Sequence, residues 1–217
     1  MSTFTDLSQK EIVVVGHSFV RRLRGKFGTT PFHRSFALPS RTECVGTFGG
    51  RKMSTLHQVE QYARSLRQIY RQQRTSPFAV VLSIGGNDID SRHFNESDYM
   101  RLLKRIIDTF NEAGVERVVV CNILPRKTPI KISSESYSQR RDLINNRLRL
   151  LARESIRRKT IYIYEFLSWI TNKDLFCRDG IHFTHFGMSK YYFAIKAAIL
   201  KTRGIGTNKR LGRAARR

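Results

Sequence analysis

The sequence predicts an α/β domain with a parallel, doubly wound sheet flanked by helices, and two observations carry that reading. Short, nearly continuous apolar runs recur along the chain, as in strands covered on both faces. Between them the apolar residues change to the 3.6-residue spacing of helices packed on a core. Strands alternating with helices favour parallel pairing with right-handed crossovers.

Taken in order, the first strand is Glu11–Val15 (EIVVV), which runs into Gly16. His33–Ala37 is a weak candidate, either a strand or irregular. Glu43–Phe48 (ECVGTF) runs into Gly49-Gly50. Leu56, Val59, Ala63, Leu66, Ile69 and Tyr70 then form a helical stripe. Phe78–Ile84 (FAVVLSI) is the next strand and runs into Gly85-Gly86. Tyr99, Leu102, Leu103, Ile106, Ile107 and Phe110 mark a second helix, with Ser97 or Asn95 placed to cap it. Arg117–Ile123 (RVVVCNI) leads into Leu124-Pro125. Tyr137, Ile144, Leu148 and Leu151 mark a third helix whose other face carries arginines. Thr160–Phe166 (TIYIYEF) is a further strand, and Met188, Tyr191, Tyr192, Ile195, Ala198 and Ile199 mark a last helix that Thr184 can cap. The stripes read as core faces, not as a cofactor box.

A chain of 217 residues suits one domain, expected over 1–200. The segment 201–217 is rich in Gly and Arg without a long apolar stripe and reads as a mobile basic arm. No apolar run reaches the ~18 residues needed to span a bilayer. The N-terminal segment shows no apolar signal core. An intracellular location, cytoplasmic or nuclear, is therefore expected. Cys44, Cys121 and Cys177 cannot all pair and lack metal-ligand spacing, which fits free thiols in a reducing compartment. Forty Lys and Arg against seventeen Asp and Glu give a formal charge of +23. Such an excess attracts polyanions, nucleic acid or anionic headgroups, unless it is only a solvated basic surface.

Ligands of an open α/β sheet bind beyond the carboxyl ends of its strands. Four segments put chemistry at that edge. Gly16-His17-Ser18 follows the first strand, although a serine there is often only a helix cap. Gly49-Gly50 can serve a tight turn or expose a backbone N–H to an anion. Gly85-Gly86-Asn87-Asp88 can be ordinary turn chemistry, or can present an Asn amide to a developing oxyanion. Asp179-Gly180-Ile181-His182 precedes the last helix, and a lone D-x-x-H is a common accident. Together they supply a nucleophile, a base, a group to orient the base, and oxyanion donors. His182 can take the proton of Ser18, and Asp179 can fix the imidazole tautomer.

These blocks resemble the SGNH (GDSL-like) hydrolases. GHSFV is similar to the first block, FGGRKM to the second, GGND to the third and DGIHFTHFG to the last, and together they span Ile12 to about Leu200. GGND and DGIHFTHFG are the specific pieces; the glycine block is loose. The resemblance implies a three-layer, flavodoxin-like sheet of about five strands. It implies a serine esterase with Ser18 as nucleophile, Asp179 and His182 completing the triad, and an oxyanion hole built from the N–H of Ser18, the N–H of Gly50 and the Asn87 side chain. It also implies acyl-ester hydrolysis through an acyl-enzyme without metal or organic cofactor. The family usually has Asp before the serine where this chain has His17, a change that bears on the nucleophile loop more than on the triad. The GHS variant is also similar to esterase domains of some animal retrotransposon-encoded proteins.

Basic residues recur near the same edge: Arg21, Arg22, Arg51, Lys52, Arg126, Lys127 and Arg178. They are candidate contacts for an anionic substrate or for RNA or DNA, held through the phosphate backbone. The alternative to an esterase is therefore a non-catalytic SGNH-like module that binds RNA. The presence of all four catalytic blocks favours the enzyme, and the charge favours the module. His33, His57 and His93 have no partners at metal spacing, and His185 is a candidate to line the site.

Overall fold

The computed structural model describes residues 11–38, 41–48, 51–73, 76–155, 161–166 and 173–202. Five strands form one parallel sheet: β1 (Glu11–Gly16), β2 (Arg41–Val45), β5 (Ala79–Ser83), β6 (Arg117–Cys121) and β7 (Ile161–Tyr164). Between β2 and β5, β3 (Thr47–Phe48) pairs antiparallel with β4 (Arg51–Lys52). The helices are α1 (Ser18–Arg24), α2 (Leu56–Gln73), a short α3 (Gly86–Ile89), α4 (Glu96–Glu112), α5 (Ser134–Ser155) and α6 (His185–Thr202).

The strand order is β2-β1-β5-β6-β7, the flavodoxin-like order. The chain leaves β1 outward to β2, then returns across β1 to β5. The order reverses between β1 and β5, where Val15 stands beside Leu82 and Gly16 beside Ser83. That switch point opens a crevice at the strand tips, the place such folds use for ligands. Ser18 and the Gly85–Asp88 segment both emerge there.

Alternation along each strand divides the core. Val13 and Val15 of β1 pack with Val80 and Leu82 against α2, α4 and α5. Ile12 and Val14 face the other way, with Val81 and Val119, against α1 and α6. Both faces of β5 are fully buried, which explains its apolar run from Ala79 to Leu82. Among the described residues no helix is long and apolar enough to cross a membrane.

Several boundaries differ from the sequence expectation. The second strand starts at Arg41 and ends at Val45, because the chain turns at Gly46 into the β3–β4 pairing. His33–Ala37 is no strand: Phe36 and Ala37 adopt left-handed backbone at φ 57° and 51°. The turn drives Phe36 inward, where it stacks on Tyr192 at 4.8 Å. Ile69 lies on the solvent side of α2, 40% exposed, while Tyr70 packs on the core edge. Asn95, not Ser97, caps α4, its side chain accepting from the Asp98 N–H at 2.9 Å. Thr184 caps α6 by accepting from the Gly187 N–H at 3.2 Å. That helix runs to Thr202, two residues into the expected arm; residues 203–217 lie outside the described residues.

Candidate active site

The Gly16-His17-Ser18 block is built by close packing at the end of β1. A Cβ on Gly16 would collide with the Val20 side chain and the Ser83 carbonyl, so only glycine lets β1 and β5 approach as α1 begins. Phe19, Val20 and Leu23 bury the inner face of α1. Ser18, the first helical residue, is left on the outer side, half-buried. Phe19 also reaches Phe183 and Tyr191 at ring separations of 4.8 and 5.7 Å, which ties the serine helix to α6 and to the loop before it.

That loop is a small hairpin. Phe176 and Phe183 form an antiparallel bridge, Cys177 N–H donates to the His182 carbonyl at 2.7 Å, and Thr184 N–H donates to the Leu175 carbonyl at 2.8 Å. Asp179 and His182 sit in its tip. One carboxylate oxygen, Oδ1, accepts the N–H groups of Ile181 and His182, each at 2.9 Å. The other, Oδ2, lies 2.6 Å from His182 Nδ1. Partial burial alone would raise the Asp179 pKa. The His182 side-chain hydrogen bond and the two backbone N–H groups outweigh it and hold the carboxyl at about 2. An ionised Asp179 requires Nδ1 to carry the proton, which leaves Nε2 as an acceptor. Nε2 lies 3.0 Å from Ser18 Oγ. The structure thus brings Ser18, His182 and Asp179 into one hydrogen-bonded chain, although Ser18 and His182 are 164 residues apart in sequence. A hydroxyl held by an imidazole that is itself held by a carboxylate can perform nucleophilic acyl transfer.

Asn87 stands at the tip of β5 in the turn that begins with Gly85. Gly85 has φ 109°, and a Cβ there would strike the Tyr99 hydroxyl. The amide Nδ2 of Asn87 donates to the Ser54 carbonyl at 2.9 Å, and its Oδ1 accepts from Arg126 Nη2. Next to it, Asp88 Oδ1 accepts the Leu56 N–H at 3.0 Å. These bonds join the third block to the loop that follows the second. Asp88 Oδ2 is buried without a hydrogen-bond partner among the described residues. Burial raises the Asp88 carboxyl to about 6, and the Leu56 N–H offsets this only in part. Asn87 and Asp88 border a cleft of about 430 Å³ whose lining includes Leu56, Phe94, Tyr99 and Lys131.

His17 is buried and its Nδ1 has no hydrogen-bond partner among the described residues. Burial, then the nearby Arg126 and His182, push its pKa down to about 3, so the imidazole is neutral at ordinary pH. It packs on Phe19 with ring centroids 5.3 Å apart. His17 therefore brings no charge to the turn that precedes Ser18.

The basic residues separate into groups. Arg22, Lys127 and Arg178 are exposed and Arg21 is half-buried. Lys127 and Arg178 belong to neighbouring loops, since the Lys127 N–H donates to the Gly180 carbonyl at 2.7 Å. Arg51 and Lys52 form β4, and Gly50 lies outside the described residues. Arg126 departs from the sequence expectation of a surface cation. Its side chain is only 3% exposed and pairs with Asp90 at 2.6 Å. His185 is exposed and meets Phe32 edge-on at 5.4 Å. Among the described residues no cluster of three or more His, Cys, Asp or Glu could hold a metal ion.

Sequence reasoning missed Ser54 and Asp90, which anchor Asn87 directly or through Arg126. No local pattern announces them: Ser54 acts through its carbonyl, and Asp90 looks like one more polar turn residue. The Pro125-Arg126 pair after β6 was visible, but its inward direction depends on a partner 36 residues away.

Comparison with known proteins agrees with this architecture. The chain is similar to a GDSL-like lipase from Bacteroides thetaiotaomicron, with 17% identity over 93% of this chain and 92% of that one and a TM-score of 0.63. It is similar to a carbohydrate esterase family 3 protein from Talaromyces cellulolyticus, with 13% identity over 90% and 98% of the two chains and a TM-score of 0.59. It also matches the esterase domain of the ORF1 protein from the zebrafish ZfL2-1 retrotransposon, with 19% identity over 88% and 99% of the chains and a TM-score of 0.40. At these identities the likeness to the Bacteroides and Talaromyces structures concerns the fold. No curated protein matches significantly. The family model described as GDSL-like Lipase/Acylhydrolase matches residues 32–192, which takes in the glycine, Asn and Asp-His blocks. The chain belongs to the GDSL-like lipase/acylhydrolase family.

Proposed function

We propose that this protein is a serine esterase that hydrolyses carboxylic esters through an acyl-enzyme. The observation that carries this reading is the Ser18–His182–Asp179 chain, with contacts of 3.0 and 2.6 Å. Ser18 Oγ attacks the ester carbonyl while Nε2 of His182 takes the hydroxyl proton. Asp179 keeps the imidazole in the required tautomer and stabilises the imidazolium. The oxyanion is met by the N–H of Ser18, the N–H of Gly50 and the Nδ2–H of Asn87. The imidazolium then protonates the departing alcohol. Water, activated by the same base, releases the acid and restores Ser18. No step calls for a metal or organic cofactor. The test is hydrolysis of p-nitrophenyl acetate by parent and Ser18→Ala protein. The variant keeps its fold and loses turnover by ~10⁴-fold or more. Equal rates would remove Ser18 from the mechanism.

The charge of +23 favours a second property alongside catalysis: affinity for RNA or DNA. Arg22, Lys127 and Arg178 are exposed, Arg178 being the neighbour of Asp179 in the chain, and 203–217 holds six further cations. Phosphate contacts release counterions, so affinity falls ~10³-fold or more between ~50 and ~200 mM salt for a footprint of several phosphates. Deleting 203–217 flattens that slope and leaves turnover unchanged. Absence of binding at low salt would refute the nucleic-acid reading and also the non-catalytic, RNA-binding alternative.

A further inference from the structure

We infer that Arg126 is a positioning residue for the oxyanion hole, fixing and polarising the Asn87 amide from behind. The inference rests on the proposed esterase reading and adds a residue to its machinery. Arg126 reaches two partners with the two arms of its guanidinium. Nη1 donates to Asp90 Oδ2 at 2.6 Å, and Nη2 donates to Asn87 Oδ1. Asp90 is held in turn by the N–H groups of Ile130 and Lys131, each at 3.0 Å. The Arg126 and Asp90 side chains are 3% and 4% exposed, and the guanidinium lies 5.4 Å over the Tyr137 ring. Such a pair contributes little net stability, because burying two charges costs about as much as their attraction returns. Its position suggests another use.

An asparagine amide can be turned either way, and only one orientation presents N–H groups to an oxyanion. A guanidinium has donors and no acceptor, so the group facing Arg126 must be Oδ1. The Ser54 carbonyl accepts one of the two Nδ2 hydrogens at 2.9 Å, which imposes the same orientation. One Nδ2–H is left for the oxyanion. The positive charge on Oδ1 also draws electron density from the amide and makes that N–H a stronger donor, as hydrogen bonds in series do. Because the pair is buried, water does not screen this effect. An oxyanion donor matters mainly as charge develops, so Arg126 acts on kcat and not on substrate binding.

Arg126→Lys tests this without stranding Asp90: the ammonium keeps the ion pair but lacks the second arm. It is compared with Asn87→Ala and with the double variant, with thermal midpoints recorded for all. Asn87→Ala lowers kcat by ~10²–10³. R126K lowers kcat by ~10-fold or more with KM within about twofold, and adds less than about twofold once Asn87 is gone. An additive loss in the double variant, or unchanged kcat in R126K, would overturn the inference while leaving the esterase reading standing. A parent protein without turnover would overturn both. Should R126K fail to fold, the charge-neutral pair R126Q/D90N goes through the same cycle with the same criteria.

Discussion

Asp88→Asn should abolish a pH-dependent loss of stability that the third block imposes on the fold. In the native state one carboxylate oxygen of Asp88 is bound by the Leu56 N–H, and the other is buried without a partner among the described residues. Burial lifts the carboxyl from 3.8 to about 6. The native state therefore binds a proton that the unfolded chain has already released. A raised folded pKa gives stability that is complete below the unfolded value and lost as pH climbs through the folded one. The shift of about two units corresponds to a loss of up to about 3 kcal/mol between pH ~4 and ~7. The amide introduced by Asp88→Asn carries no such titration. It keeps an oxygen for the Leu56 N–H, and its buried N–H adds a cost that does not vary with pH. The assay is urea unfolding of both proteins at several pH values across that interval. Stability of the variant relative to the parent should rise by roughly 2–3 kcal/mol from the acid to the neutral end. A constant difference at every pH would refute the reasoning, whatever its size.

Three further outcomes follow from the site. Asp179→Asn should leave the hairpin folded and lower kcat by ~10⁴, because an amide no longer fixes the proton on Nδ1; steady-state kinetics on a short acyl ester reads this directly. Asn87→Ala should lower kcat with KM nearly unchanged, and a rise in KM alone would make Asn87 a ground-state contact. Gly16→Ala should cost at least ~2 kcal/mol, seen as a lower thermal midpoint, because the new methyl meets a carbonyl and a branched side chain that cannot withdraw.

The layered fold was legible because its signals are local and repeated. Val13-Val14-Val15, Val80-Val81-Leu82 and Val118-Val119-Val120 can only be central strands, and the stripes from Leu102 to Phe110 and from Met188 to Ile199 can only be core-facing helices. His33–Ala37 stays open between strand and irregular in sequence because a short apolar segment does not reveal the left-handed backbone that turns Phe36 onto Tyr192. The expected second strand starts two residues late, because the β3–β4 pairing depends on a turn that single-sequence periodicity does not register. At the site, Ser18, Asp179 and His182 were named because each residue type limits the chemistry it can perform, and the strand tips brought them to one edge. The support behind them was not legible. Arg126 is indistinguishable from Lys127 in sequence, yet one is buried on Asp90 and the other is exposed. His17 reads as a change in the loop before Ser18, but its neutrality, set by burial and then by Arg126 and His182, is not visible in sequence. In each instance the deciding partner is distant in the chain, so the outcome depends on burial and long-range charge.

The most direct test of the central claim is covalent labelling with a fluorophosphonate probe, followed by mass mapping of the adduct. The probe reports an activated serine without requiring knowledge of the substrate. The parent protein should carry a single adduct on Ser18, through the Oγ that lies 3.0 Å from His182 Nε2. His182→Ala, folded to the same extent, should label at a small fraction of that rate, since the base that takes the hydroxyl proton is gone. An unlabelled parent, an adduct on another serine, or labelling of Ser18 that is indifferent to His182 would contradict the account.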